Sequence, residues 1–229
     1  MKKILLTFTF FILSITTSKA LEGINIGASI TGGLFSADGA KEIFSGSHSS
    51  GAAPGTVTKN TSTEGDEAEG AFVLGSIFIE KTIGDRFALG FDYVPLPAES
   101  ETTENAQTTT AGSTTGTNKV QIDFENLRTL YATVDLNDSV YAKVGYSEVD
   151  VATNEVLATG GSYGDTTLDG FVIGLGYNRD LNNDAFVRVE ANYMDFNGAT
   201  LINKNDTNKK ITADGFDGYG ARISVGKSF

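Results

Sequence analysis

The sequence contains no cysteine, three prolines and one histidine among its 229 residues. Without cysteine there is no disulfide, no thiolate nucleophile and no cysteine-based metal cluster, so the fold must draw its stability from other interactions. Beyond residue 20 the chain also lacks any apolar run near the ~18 residues that identify a membrane-spanning helix. These absences exclude a disulfide-bonded scaffold and a helical membrane protein.

Basic side chains are scarce as well. The chain carries 17 Lys and Arg against 29 Asp and Glu, a net charge of −12. If the first twenty residues are removed, Lys2, Lys3 and Lys19 go with them, which leaves 14 basic side chains and a net charge of −15. Nucleic acids are bound by clustered Lys and Arg that neutralise phosphates. The charge therefore argues against nucleic acid as a partner.

The first twenty residues have the organisation of a secretory signal peptide. Met1–Lys3 is basic, Ile4–Ile15 is mostly apolar, and Ser18 and Ala20 fit the small-x-small pattern of a cleavage site. The apolar run is shorter than the ~20 residues that a retained transmembrane anchor needs. We therefore expect a signal peptide at 1–20, cleavage after Ala20, and one mature domain at 21–229.

Apolar and polar residues alternate with a period of two in eight segments of the mature chain. This alternation, with 27 glycines, eight tyrosines and fifteen phenylalanines, is typical of β-strands, whose side chains point to opposite faces in turn. The second segment is apolar on both parities, so its facing stays open. The segments are 24–35, 71–81, 87–94, 120–136, 140–147, 171–178, 185–193 and 218–229.

The connections between these segments alternate in length. Three are hairpin-sized and consist of turn residues: Gly84-Asp85, Asn137-Asp138 and Leu181–Asp184. Four are long and polar, at about 37–69, 98–118, 152–166 and 198–214. Short turns at one end and long loops at the other indicate an outer-membrane barrel. The prediction is an all-β, closed, eight-stranded antiparallel up-and-down barrel, with both chain ends and the short turns in the periplasm.

The polar parity of the strands carries charges that must face the barrel interior. A midplane Arg or Lys facing lipid costs roughly 2–4 kcal/mol, so the apolar parity faces lipid and the charges lie inside, where they must pair. A lipocalin-like soluble barrel, with the apolar parity inward, would not explain the loop asymmetry. The predicted interior charge network consists of Lys143, Arg188, Glu190 and Arg222, joined by Glu80 if the parity of its strand is inward.

The mature chain resembles the OmpA/OmpX-type group of small outer-membrane barrels, notably in Phe87–Tyr93 and in the last strand, Gly220–Phe229. In that group the end of the last strand is read by the barrel-assembly machinery, and Val225 and Phe229 match this signal, whereas Lys227 departs from it. The resemblance implies export to the periplasm and residence in the outer membrane of a Gram-negative bacterium. The implied partners are outer-membrane lipids and the assembly machinery; the resemblance names no surface ligand.

Catalytic chemistry has few candidates. His48 lies between Ser47 and Ser49 in a Gly/Ser-rich loop, and a Ser–His pair can form a nucleophile and its base. Catalysis needs fixed geometry rather than proximity in sequence, so we interpret His48 as an ordinary loop residue and predict no catalytic residue.

Acidic residues cluster in the first two long loops, and clustered carboxylates can bind a divalent cation. The spacing is not that of an EF-hand, and no basic residue lies close to the second cluster, so we interpret both as solvated loops and predict no metal and no cofactor. The Thr-rich run Thr102–Thr117 is expected to lack regular structure. The clusters are Glu64, Asp66, Glu67 and Glu69, and Glu99, Glu101 and Glu104.

Three functions fit these observations. The first is a non-enzymatic integral outer-membrane barrel with a polar, plugged interior and long acidic extracellular loops, which serves a structural or surface-interaction role. The second is a small porin-like passive channel, although eight strands usually leave no open lumen. A lipid-modifying membrane enzyme is third.

Overall fold

The computed structural model describes residues 22–37, 39–44, 57–60, 68–108, 115–158 and 161–229. The predicted signal peptide, His48 and the acidic residues Glu64, Asp66 and Glu67 lie outside these ranges. Within them, no helix is long and apolar enough to cross a membrane.

Fourteen strands and one short 3-10 turn (Asn182–Asp184) make up the described chain. The strands are β1 (Ile24–Ala37), β2 (Ala40–Phe44), β3 (Val57–Asn60), β4 (Ala68–Ile83), β5 (Phe87–Tyr93), β6 (Ala98–Glu99), β7 (Thr103–Thr108), β8 (Thr115–Asp135), β9 (Val140–Val156), β10 (Thr166–Asp180), β11 (Ala185–Phe196), β12 (Ala199–Ile202), β13 (Lys209–Ala213) and β14 (Phe216–Ser228).

Eight of these strands close into an antiparallel barrel, in the order β1-β4-β5-β8-β9-β10-β11-β14 and back to β1. Closure is made between the first and last strands, where Ile30 lies opposite Ile223. At the end of the barrel that carries the three short turns, named here the turn end, the Phe229 N–H donates to the Ile24 carbonyl at 2.9 Å. Each of the eight segments predicted from the alternation corresponds to one wall strand, and the predicted fold class is confirmed.

The outward parity of the wall is apolar. Ile30, Leu130, Val144 and Ile223 are each more than half exposed on the outside of the barrel, although they are large hydrophobic residues. Exposure of so much apolar surface to water would be unfavourable at about 25 cal/mol per Å², whereas hydrocarbon accepts it. The exterior is therefore that of a membrane-spanning barrel.

The facing of β4, which the sequence left open, follows the same rule. Ser76, Phe78 and Glu80 are buried inside the barrel, and Ile79 and Val73 are exposed outside. Because successive side chains of a strand alternate between faces, the even-numbered residues of β4 point into the lumen. Glu80 therefore has the inward parity that its place in the predicted network required.

The barrel wall continues into folded structure in the long connections, which were predicted as loops. Strands β12, β13, β2 and β3 form a separate four-stranded antiparallel sheet, named here the outer sheet. Strands β6 and β7 pair with the upper part of β8. Much of the long connections is therefore folded.

The expectation that Thr102–Thr117 lacks regular structure is wrong. Thr103–Thr108 forms β7, which pairs with Thr115–Val120 of β8, and residues 109–114 between them lie outside the described ranges. Threonine is β-branched and favours strands, and the upper part of β8 offers an edge for pairing. Glu104, which had no basic neighbour in sequence, pairs with Lys119 at 2.6 Å across this hairpin.

The orientation of the barrel can be tested with single cysteines, because the chain has none of its own. Glu101 and Asp138 are both exposed acidic residues, but Glu101 lies in a predicted extracellular connection and Asp138 in a predicted periplasmic turn. A membrane-impermeant maleimide should label Glu101→Cys on intact cells and Asp138→Cys only after the outer membrane is permeabilised. Labelling of Asp138→Cys alone on intact cells would show the opposite orientation.

Candidate functional site in the barrel lumen

The lumen holds three successive zones. From the turn end towards the long connections they are an open vestibule, a layer of ion pairs named here the charge layer, and a hydrophobic zone named here the apolar layer. The inward parity of the strands supplies all three, because polar residues occupy this parity near the turn end and large apolar residues occupy it near the end with the long connections.

Glu80 on β4 is the most completely enclosed member of the charge layer, with its side chain 1% exposed. Arg188 on β11 donates two hydrogen bonds to it, from Nη1 to Oε2 at 2.7 Å and from Nη2 to Oε1 at 2.9 Å. Asn25 Nδ2 and the Tyr131 hydroxyl each add a donor at 3.0 Å. Four donors thus converge on one carboxylate, in the bidentate geometry that Arg and carboxylate favour.

Two further ion pairs complete the charge layer. Lys143 Nζ on β9 lies 3.1 Å from Glu190 Oε1 on β11, and the Tyr141 hydroxyl donates to Glu190 Oε2 at 2.9 Å. Arg222 on β14 pairs with Asp92 on β5. None of the three pairs joins adjacent wall strands, so each spans part of the lumen. The six charges balance, which satisfies the requirement that buried charges be paired.

Aromatic rings fill the space between the charged groups. Lys143 Nζ lies 4.6 Å from the centre of the Tyr131 ring, and Arg188 Cζ lies 4.5 Å from that of Phe186. These are cation–π distances. The remaining cavity in this layer has a volume of about 10 Å³. A cavity of that size holds about one water molecule.

Two glycines make room for the tyrosines that reach the carboxylates. A Cβ on Gly90 would lie 2.3 Å from Tyr131 Cζ, and one on Gly176 would lie 2.2 Å from Tyr141 Cζ. Any larger residue at these positions would displace the rings and with them the hydroxyl donors to Glu80 and Glu190.

The five residues of the predicted interior network, Lys143, Arg188, Glu190, Arg222 and Glu80, all lie in the charge layer. Their partners could not be read from neighbouring positions: Arg188 pairs across the lumen with Glu80, and Arg222 with a residue that the sequence analysis did not include, Asp92. Asp92 lies on the same parity of β5 as Ala88 and Gly90, opposite to the apolar, lipid-facing residues of that strand. This alternation was the sequence signal that could have placed Asp92 in the barrel interior.

The apolar layer was not anticipated from the sequence. Phe124 on β8 and Phe216 on β14 lie on opposite sides of the barrel, yet their ring centres are 5.6 Å apart. Phe196 stacks on Phe216 at 4.7 Å and is 3% exposed. The buried residues Val94, Val149, Val151 and Val172 lie on the same side of the charge layer. Side chains therefore meet across the lumen a second time, outside the charge layer.

The vestibule opens at the turn end and has a volume of about 610 Å³. Asn25, Arg86, Asp135 and Asn178 line it, and Arg188 forms part of its inner end. Arg86 is held by two hydrogen bonds from its guanidinium to the Asp135 carbonyl, at 3.0 and 2.7 Å. The vestibule is thus a polar mouth that ends on the charge layer.

The described residues contain no group of three or more His, Cys, Asp and Glu that could hold a metal ion. The interior carboxylates of Glu80, Asp92 and Glu190 are each engaged by a cation and by neutral donors. Such an arrangement fixes the side chains in place; it leaves no free base or nucleophile among these groups.

The predicted assembly signal lies where β14 closes on β1. Val225 is exposed on the outer face, and Phe229 is at the turn end of the seam. Lys227, which departs from the pattern, has its Nζ 5.4 Å from the Phe229 ring centre. Recognition of these residues by the assembly machinery stays a prediction.

No family model matches the sequence, and no curated protein matches it either. Solved structures do. Neisserial surface protein A is 12% identical with a TM-score of 0.41, over 91% of this chain and 98% of that one. The outer membrane protease OmpT of Escherichia coli is 11% identical with a TM-score of 0.44, over 93% of this chain and 99% of that one. The outer membrane protein AlkL, solved in lipid bilayers, is 13% identical with a TM-score of 0.46, over 94% of each chain.

These TM-scores lie below 0.5. The chain's own strand pairing and apolar exterior define its class. A closed eight-stranded antiparallel barrel with an apolar outer face and a charged, paired interior is an integral outer-membrane barrel. In architecture it agrees with the small OmpA/OmpX-type barrels that the sequence resembles.

Proposed function

We propose that this protein is a closed, non-enzymatic outer-membrane barrel that anchors an extracellular surface for interaction. The observation that carries the proposal is the double closure of the lumen, by the charge layer and by the apolar layer. A solute crossing the barrel would have to break buried ion pairs in the first and separate stacked aromatic rings in the second. Either step is costly, because a separated buried ion pair leaves uncompensated charge.

The outer sheet supports the interaction role. It is built from the first and last long connections, through the pairing of β2 with β13, so that two distant parts of the chain form one extracellular element. A folded extracellular element of this kind presents a defined surface, whereas solvated loops do not. The outer-membrane lipids and the assembly machinery that reads Val225 and Phe229 are the partners we propose for the barrel itself.

Conductance in planar bilayers tests the closed lumen. The purified, refolded chain should give no stepwise conductance above the bilayer background. The positive control is a triple variant, Arg188→Ala with Phe196→Ala and Phe216→Ala, which removes side chains from both layers. It should give stepwise conductance and so show that the measurement detects inserted barrels. Steps in the unmodified chain would replace this proposal with the porin-like channel, for which the vestibule would be the periplasmic mouth.

A different experiment could contradict the proposal that the protein is not an enzyme. Hydrolysis of lipid A or of a peptide by the purified barrel, lost in His48→Ala, would establish the protein as a membrane enzyme.

A further inference from the structure

The outer sheet is basic, although the chain as a whole is acidic. Its four strands carry four lysines and one glutamate, whereas the whole chain has 17 basic and 29 acidic side chains. Two of the lysines, Lys41 on β2 and Lys210 on β13, have no ion-pair or hydrogen-bond partner for the ammonium group within the described ranges. Their charges are therefore available to a ligand.

The two lysines lie on the same face of the outer sheet. Lys41 is opposite Thr212 in the pairing of β2 with β13, and Lys210 lies two residues from Thr212 along β13. Cross-strand partners and residues two apart share a face, so the two lysines are diagonal neighbours, roughly 7–8 Å apart. None of the described side chains on this face is acidic. Together they are named here the lysine face: Lys41, Ile43, Thr200, Ile202, Lys210 and Thr212.

The lysine face continues the lumen-facing side of the barrel wall. Where the pairing of β1 with β14 ends, Ala37 lies opposite Phe216. After an interruption of two residues on each strand, Ala40 lies opposite Ala213, which is the same register. The pairing of β11 with β14 continues into that of β12 with β13 in the same way. An unchanged register keeps the parity of each strand, so Thr212 has the parity of the inward Phe216, and the lysine face looks away from lipid.

Solvent reaches the lysine face, and hydroxyl groups stand beside its charges. Ile202 is 57% exposed and Thr200 is exposed as well, whereas Lys41 and Lys210 are half-buried. The hydroxyl oxygens of Thr200 and Thr212 lie 3.3 Å apart. An ammonium group only donates hydrogen bonds, whereas a hydroxyl group both donates and accepts them. The lysine face therefore suits a ligand that carries both anionic groups and hydroxyl groups.

We propose that the lysine face binds an anionic polysaccharide; this inference rests on the surface-interaction role proposed above and names the partner. The acidic groups of the polymer bind Lys41 and Lys210, and its sugar hydroxyls exchange hydrogen bonds with Thr200 and Thr212. The polymer reaches the face from beyond the end with the long connections, because the face looks away from lipid.

The size of the lysine face favours a narrow polymer over a globular partner. The face spans three strands that lie ~4.8 Å apart, so it is about 10 Å wide. A protein interface of standard size needs about 800 Å² on each side, and it would extend over acidic residues beside the face such as Asp206 and Asp214. An acidic peptide is narrow enough, but peptides bind sheets through backbone hydrogen bonds at an edge strand, and the face of a sheet offers none.

Three carriers of the same carboxylate group test the proposal on the refolded chain, by isothermal titration calorimetry at low ionic strength. Carboxymethyl dextran carries the group on a polysaccharide, polyglutamate carries it on a peptide, and acetate carries it alone; uncharged dextran is the blank. The test variant is Lys41→Gln with Lys210→Gln, which removes both charges of the lysine face and keeps most of the side-chain length. The matched control is Lys81→Gln with Lys227→Gln, which changes the net charge equally at the turn end.

The unmodified chain should bind carboxymethyl dextran, and the test variant should bind it about tenfold more weakly, a difference of about 1.4 kcal/mol. The control variant should bind as tightly as the unmodified chain, and circular dichroism should show unchanged strand content in both variants. The proposal is wrong if the unmodified chain does not bind this polymer, or if the test variant binds it as tightly. It is also wrong if polyglutamate binds equally well, which indicates an acidic peptide, or if acetate competes at an equal carboxylate concentration, which indicates a site for a single anion.

The conductance measurement separates this result from the closed-barrel proposal. A chain that gives no conductance and does not bind the polysaccharide keeps the closed lumen and overturns the ligand. A chain that gives stepwise conductance and binds the polysaccharide keeps the ligand and overturns the closed lumen.

Discussion

Replacing Glu80 by alanine is expected to lower the free energy of unfolding of the barrel by about 3–5 kcal/mol, the cost of leaving one partner of a buried ion pair without the other. Arg188 would remain inside the lumen with both of its strong acceptors gone. Asn25 and Tyr131 would lose their acceptor as well. Urea unfolding of the detergent- or lipid-reconstituted barrel measures the loss.

Glu104→Ala is the matched control, because Glu104 also belongs to an ion pair, at 2.6 Å from Lys119, but is 55% exposed. Removal of a solvated pair should cost no more than about 1 kcal/mol. A second variant separates charge from packing: Glu80→Ala combined with Arg188→Met removes both charges and should recover a substantial part of the loss. If Glu80→Ala and Glu104→Ala prove equally mild, the charge layer is hydrated and the lumen is wetter than the closed proposal allows.

The wall of this barrel could be predicted from the sequence because one physical rule governs every strand. A residue that faces lipid must be apolar, and its neighbours on the other parity need not be, so alternation such as that of Phe171–Asn178 reports the facing directly. The rule failed for 71–81, where the inward parity also carries apolar residues such as Phe78. That side chain packs against Arg188 and Arg222 in the lumen, a use of aromatic surface that periodicity does not show.

The membership of the charge layer was predictable, but its pairing was not. Parity places Lys143, Arg188, Glu190 and Arg222 inside, yet which ones meet depends on the side-chain reach across a closed barrel. Counting the charges would have shown that one anion was missing. With Glu80 the predicted set holds three cations and two anions, and buried charges must balance. The missing anion is Asp92, which pairs with Arg222.

The structure of the long connections was the least predictable part. The outer sheet joins β2 and β13, which are separated by most of the chain, and such pairing leaves no local signal. The apolar layer could not be predicted from the sequence for a related reason. Phe124, Phe196 and Phe216 belong to different strands on the far side of the charge layer from the vestibule, where inward residues again become apolar as they would in a soluble core.

Truncation of Phe196 tests whether the apolar layer is such a core. Phe196 is 3% exposed and stacked on Phe216, so Phe196→Ala should leave a cavity and lower the free energy of unfolding by about 3–5 kcal/mol. The control is Phe171→Ala. Phe171 is 44% exposed on the outer wall, where lipid can fill the space that the ring leaves, so its removal should cost distinctly less.

Both variants lose the same ring from neighbouring strands of the barrel, which makes the difference between them a measure of enclosure rather than of residue type. Urea titration of each reconstituted variant beside the unmodified chain gives that difference. A larger loss for Phe196→Ala means that the outer end of the lumen is packed as tightly as a protein interior, because only an enclosed site creates a cavity. Equal losses would mean that the aromatic rings are solvated from the end with the long connections, and the charge layer alone would then close the barrel.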